Sequence, residues 1–297
     1  MTLEPAVHPR ITNTCSVGKP GAGPYGIAGG PDGALWITLI HSGAIARLSD
    51  DQCTIYELDS PACRPAQITT GPDGALWFTR SGDDSIGRLS ATGAQSSFAL
   101  PADTTPFGIA VGPDGALWYT AVGTNKLGRL ATDGAIEELS LPAERAMPSM
   151  LTTDHDGAVW CTLNQAHALA RATPDGQLTI HPLPNESARP VGITATDDAV
   201  YYTDIARAMA GRVSPDGQTT ELPLPDPNAR PHAIIASADG GVWLTEWGTS
   251  RVAHLTPQGD LTELALPPAS EPHGLARGTD EAIWVASETG HVIRIAP

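Results

Sequence analysis

Near the end of the chain, Glu271, His273 and Glu288 place two hard oxygen donors and an imidazole within 18 residues. Two carboxylates with few other protein ligands suit Mg²⁺, which keeps several of its waters; zinc would want more histidine or cysteine. An imidazole beside them suits proton transfer, because its ordinary pKa lies near neutrality. A second imidazole, His232, and two flat apolar faces, Tyr25 and Trp247, could line a ligand site. Acids on polar loops are commonly only solvated, and rim aromatics are often only rim aromatics. The chemistry therefore depends on whether the fold brings these side chains to one place.

The elements that must do so repeat. Aromatic anchors stand at Trp36, Trp77, Trp118, Trp160, Tyr201, Trp243 and Trp284, in steps of 41 or 42 residues. A fixed period in the low forties marks an array of four-stranded units. One unit, Thr105 to Pro142, parses into "GIAV", "ALWYTA", "KLGRLA" and "IEELSL", with "GPDG" and "TDG" as tight turns. Apolar residues at helical spacing are absent. The expectation is an all-β chain: a seven-bladed β-propeller of four-stranded antiparallel blades, forming one domain over 1–297. The last unit stops at "HVIRIAP", after its third strand. The N-terminal "RITNTCSV" is predicted to supply the missing outer strand and so close the ring without an exposed edge. The seven anchors then pack between neighbouring blades.

Within a repeat, departures from the pattern call for a reason other than the fold. The first strand of each blade lines the central channel, and each begins with P-x-G or a near variant. The x residues are Tyr25, Ala66, Phe107, Ser149, Val191, His232 and His273, a ring around one mouth. Two positions earlier stand Gly23, Arg64, Thr105, Met147, Arg189, Arg230 and Glu271, of which the last is the one acid. The loop between the second and third strands reaches the same mouth. In the last unit it is "SETGH", one residue shorter than most and carrying Glu288; in the sixth it is "TEWGTS", with Glu246 and Trp247. Glu271, His273 and Glu288 thus converge from two loops of one blade, with His232 and Tyr25 on the blades to either side.

Composition excludes several partners. A formal charge of −16 repels nucleic-acid backbones and anionic membrane surfaces. "MTLEPAVHPRITNTC" lacks an apolar leader, and no apolar run is long enough to span a bilayer, so a cytoplasmic protein is expected. Cys15, Cys53, Cys63 and Cys161 lack CxxC spacing and read as reduced thiols. A closed ring needs no partner, so a monomer is expected. No Ser-His-Asp order, phosphate-cradling glycine loop or zinc spacing is present.

The unit "GPDGALWFT…IGRL…G", with "GPYGI", "ARPHAI", "LTEWG" and "EPHGL" in blades one, six and seven, closely resembles the virginiamycin B lyase (streptogramin B lyase) family of seven-bladed propellers. The likeness runs in order along essentially the whole chain. It implies a Mg²⁺-dependent enzyme that linearises cyclic depsipeptide antibiotics by elimination, conferring resistance. It also implies that Glu271 and Glu288 hold the metal, that His273 is the general acid or base, and that His232 and Tyr25 contact substrate. The departures are "CTLNQAHALARA" in blade four, "YTDIARAMAGRV" in blade five and "TLIHSGAIARL" in blade one. A metal-dependent lactonase or esterase on the same scaffold, and a propeller that only binds a ligand, are the rival readings.

Overall fold

The computed structural model describes residues 9–50 and 52–296. Residues 1–8, which include most of the stretch examined for a leader, lie outside the described residues. So does Pro297, the last residue of "HVIRIAP".

Every described element is a strand, and the strands pair into seven four-stranded antiparallel sheets. Six sheets are sequential: β2 (Pro24–Gly29), β3 (Leu35–Leu39), β4 (Ala44–Ser49) and β5 (Gln52–Glu57) make blade one. Tight turns join them because each "PDG" delivers a glycine in the left-handed region, such as Gly33 at φ 75°. The seventh sheet draws on both ends of the chain. β1 (Arg10–Ser16) pairs with β28 (His291–Ala296), which pairs with β27 (Ile283–Ser287) and then β26 (Pro272–Arg277). The register runs from Arg10↔Ala296 to Ser16↔His291, so the predicted closing strand is formed by the predicted residues.

The core is distributed between blades. Trp36 and Ile45 of blade one pack with Ile68, Leu76 and Phe78 of blade two. Trp243 of blade six packs with Leu275, Ile283 and Val285 of blade seven, and Trp284 packs against Ile27, Leu35 and Ile37 across the seam. Each fully buried large apolar side chain contributes about 1.5–3 kcal/mol, so the ring is held by many such interfaces in parallel. The anchors do a second job. The Trp36 indole donates to Asp32 at 3.1 Å, and the same carboxylate accepts from Arg47 at 2.6 Å. Trp77, Asp73 and Arg88 repeat the arrangement.

Cys63 and Cys161 are buried free thiols, and burial pushes them up to about 11 and about 12. Among the described residues no helix is long and apolar enough to cross a membrane.

Candidate active site

Each blade's first strand starts two residues earlier than the apolar run suggests, at the proline. Proline is tolerated there because a strand's first residue can lack a donor. In all seven blades the pairing with the second strand shifts register just after that proline, as between Pro272 and Leu275 or between Pro231 and Ile234. A bulge of this kind re-aims the side chain it contains. The x residue and the residue after it occupy that bulge.

A threonine two residues after the aromatic anchor pins this ring. Thr203 donates to the His232 carbonyl at 2.8 Å, and Thr245 donates to the His273 carbonyl at 3.1 Å, each from the preceding blade. Thr38, Thr79, Thr120 and Thr162 do the same for Ala66, Phe107, Ser149 and Val191. At the seam the equivalent residue is Ala286, so the Tyr25 carbonyl receives no such bond.

The ring brings Tyr25, His232 and His273 into contact. The Tyr25 and His273 rings lie 4.4 Å apart, tilted by 31°. His232 meets His273 edge-on at 4.7 Å, and its Nε2 stands 3.4 Å from the Tyr25 hydroxyl. Trp247 lies 6.1 Å from His273 and carries the Arg230 guanidinium over its own ring at 5.4 Å. Burial lowers the His232 pKa to about 3, with the nearby His273 adding to the effect. Burial also lowers the pKa of His273, opposed by the charges of Glu288 and Glu271. Tyr25 stays protonated, since burial raises its pKa and Glu288 raises it further.

Glu288 joins this cluster from the short loop after β27. Its two oxygens each meet an imidazole: Oε2 is 2.7 Å from His273 Nε2, and Oε1 is 2.7 Å from His41 Nε2. Burial alone would raise the Glu288 pKa, but the hydrogen bonds from His41 and His273 hold it below the usual carboxylate value. An ionised carboxylate only accepts, so His273 must donate its Nε2 proton, and the lone pair of the neutral ring sits on Nδ1. That Nδ1, like the Nδ1 of His232, is buried without a hydrogen-bond partner. Buried polar atoms are nearly always satisfied, and these two belong to rings in contact at the mouth, where a bound polar group could partner them.

Glu271 is exposed, in the left-handed region at φ 46°, and its carbonyl accepts from the Glu288 amide at 3.2 Å. The two acids therefore sit on adjoining loops of one mouth, and among the described residues no side-chain hydrogen bond or ion pair occupies the Glu271 carboxylate. Among the described residues no three His, Cys, Asp or Glu side chains form a ready metal cage. The donor set fits Mg²⁺ nonetheless, because that ion takes one or two carboxylates and fills its shell with water.

Two details differ from the sequence reading. Glu246 is not presented to the mouth: it is fully buried and accepts from Thr249 at 2.8 Å, and burial next to Glu263 raises its pKa to about 7. His41 is a site residue that a reading by residue type passes over. Its signal lies in the repeat, since five residues after the anchor the other four-residue loops carry Gly82, Gly123, Gln165, Ala206 and Gly248. The loop "TLIHSG" stands out as a departure, but nothing in it says which distant group His41 meets.

Fold and site together define a seven-bladed propeller with an imidazole and carboxylate cluster at one mouth of its channel. The sequence profile of the Virginiamycin B lyase family matches residues 10–295. The chain belongs to that family. It is 58% identical over 45 residues to the Virginiamycin B lyase of Saccharopolyspora erythraea, a stretch spanning 15% of this chain and 15% of that protein. It resembles the crystal structure of virginiamycin B lyase from Staphylococcus aureus with a TM-score of 0.93 and 35% identity, covering 98% of this chain and 100% of that one. A catalytically inactive histidine-to-alanine variant of the Staphylococcus aureus enzyme, solved with quinupristin, is similar at 34% identity and a TM-score of 0.93, with the same coverage.

Proposed function

We propose that this protein is a Mg²⁺-dependent carbon–oxygen lyase that linearises cyclic depsipeptides of the streptogramin B type by elimination, thereby conferring resistance. The observation that carries this reading is the pair of buried, unpartnered imidazole nitrogens on His232 and His273 beside Glu288. The full-length likeness to the Staphylococcus aureus enzyme, and the quinupristin held by its inactive variant, support it.

In such a substrate a threonine side-chain oxygen closes the ring as an ester. His273 is kept neutral by burial, with its Nε2 proton committed to Glu288, so its Nδ1 lone pair takes the threonine α-proton. The electron pair left on the α-carbon forms a double bond to the β-carbon. The bond from the β-carbon to the ester oxygen breaks, and the ring-closing group departs as a carboxylate. Glu271 and Glu288 would hold the metal, which when bound supplies Lewis-acid stabilisation of charge developing on a substrate carbonyl. Tyr25 and Trp247 bound the site with apolar faces, and the His232 Nδ1 offers the substrate a polar contact from a water-poor wall.

Incubation with a streptogramin B, with and without chelator, tests this by mass. Elimination leaves the opened product isomeric with its substrate, and chelation stops it. A gain of one water would indicate hydrolysis, and no turnover at all would indicate a binding protein.

A further inference from the structure

The contact between His41 and Glu288 crosses the seam between blade one and blade seven and joins residues 247 apart in sequence. The repeat does not require it. The equivalent loop position holds glycine, alanine or glutamine in the other four-residue loops, and the fold accommodates all of them. As a mere latch it would be poor, since the His41 side chain is 48% exposed and such pairs add little stability.

The surroundings are nevertheless shaped for the imidazole. Gly23 occupies the place that Glu271 holds in blade seven and that arginine, threonine or methionine holds elsewhere. A Cβ on Gly23 would stand 2.4 Å from the His41 ring, so a side chain there would drive the ring away. The loop backbone is tied down as well: the His41 amide donates to the Ala22 carbonyl at 3.0 Å, and Ile40 donates to Gly23 at 2.9 Å.

We infer that His41 is a positioning residue that fixes the carboxylate plane of Glu288, holding Oε1 so that Oε2 stays on His273 and the remaining lone pairs are presented to a divalent cation. A single hydrogen bond from His273 would leave the carboxylate free to turn about its last bond. A second bond from the opposite blade removes that freedom. Hydrogen-bond partners of metal-ligating groups act in this way, and their loss typically costs about 10- to 100-fold in metal affinity. The inference rests on the reading of Glu288 as a cation ligand.

Calorimetric titration of the full chain with Mg²⁺ and with Mn²⁺ tests it, comparing the parent protein with His41→Ala, His41→Gln and Glu288→Gln. His41→Ala is expected to weaken binding by about 10- to 100-fold. His41→Gln, which keeps a donor of similar reach, is expected to restore most of the affinity, and Glu288→Gln to abolish binding. Turnover of His41→Ala should recover toward the parent value at saturating cation, because the loss lies in occupancy. Affinity of His41→Ala within twofold of the parent would overturn the inference while leaving the lyase reading intact, and a lowered melting temperature with unchanged affinity would make His41 a latch only. Failure of the parent itself to bind either cation would remove the metal reading and the inference with it.

Discussion

Blades four and five face the same mouth as blades six, seven and one, on the same strands and bulges, yet their polar groups behave differently. In the mouth loops of blades four and five they close on one another. The Arg189 guanidinium meets His167 Nδ1 at 2.6 Å and the Ala188 carbonyl at 2.9 Å. Asp204 accepts from the Arg189 and Ala206 amides at 3.0 and 3.1 Å, and Arg207 binds Glu221 at 2.7 Å. In blades six and seven, His232 Nδ1, Trp247 Nε1 and His273 Nδ1 are buried with no partner. One arc satisfies its polar groups within the protein, and the other holds three buried polar atoms that no protein group satisfies. The difference falls on the arc to which the proposed chemistry is assigned.

The sharpest way to break this comparison is to truncate one x residue on each arc. His273→Ala is expected to lower kcat/KM by about 10²–10⁴, the usual worth of a general base, measured by loss of the cyclic substrate. Val191→Ala, at the equivalent position two blades away, should change it by less than about tenfold, within the range of a substituted contact. Equal losses would dissolve the distinction.

A second test separates the pin from the residue it pins. Thr245→Val and Thr120→Val each leave a buried carbonyl short of its donor and should each cost about 1–3 kcal/mol in urea unfolding. Only Thr245→Val, which holds the His273 backbone, should also cost activity, by about 10–100-fold, as small misplacements of a catalytic group do.

Acid should expose the burial of His232. Its folded pKa, about 3, lies below the ordinary 6.5. The unfolded chain therefore binds the extra proton first as pH falls below 6.5, and the stability contributed by the neutral buried ring is lost progressively between 6.5 and 3. The slope from this group approaches about 1.4 kcal/mol per pH unit within that window. Urea midpoints at pH 7 and pH 5 should differ more for the parent than for His232→Gln; parallel shifts would show that the ring is not the cause.

The smallest effect is expected at Trp247. Its replacement by alanine should raise KM by about tenfold with kcat little changed, as when binding is shared equally by substrate and transition state.

Much of this was legible because each blade states its own pattern. The 41- or 42-residue period, the turn glycines and the missing fourth strand were enough to place β1 beside β28, and the odd members of the x series were enough to gather Tyr25, His232 and His273. The threonine two residues past the anchor is just as periodic, but inside "LWYT" it is indistinguishable from an ordinary strand residue until its hydroxyl is seen to reach the next blade. The raised pKa of Glu246 owes part to Glu263, which stands two strands away in the same sheet and which a loop-by-loop comparison does not pair with it. His41 was hidden for a related reason: its partner lies across the seam, and nothing local to either loop specifies the other.

The strand pairing of Arg10–Ser16 with His291–Ala296 also has a kinetic consequence. Contacts between residues so far apart along a chain form late, because the loop they close is costly to order. The arc proposed to carry the chemistry straddles that last junction, so on that proposal a protein with six blades assembled would have most of its tryptophans packed and no competence to turn over substrate. During refolding, tryptophan fluorescence should recover before enzymatic activity does, and the lag between them would time the closure of the ring.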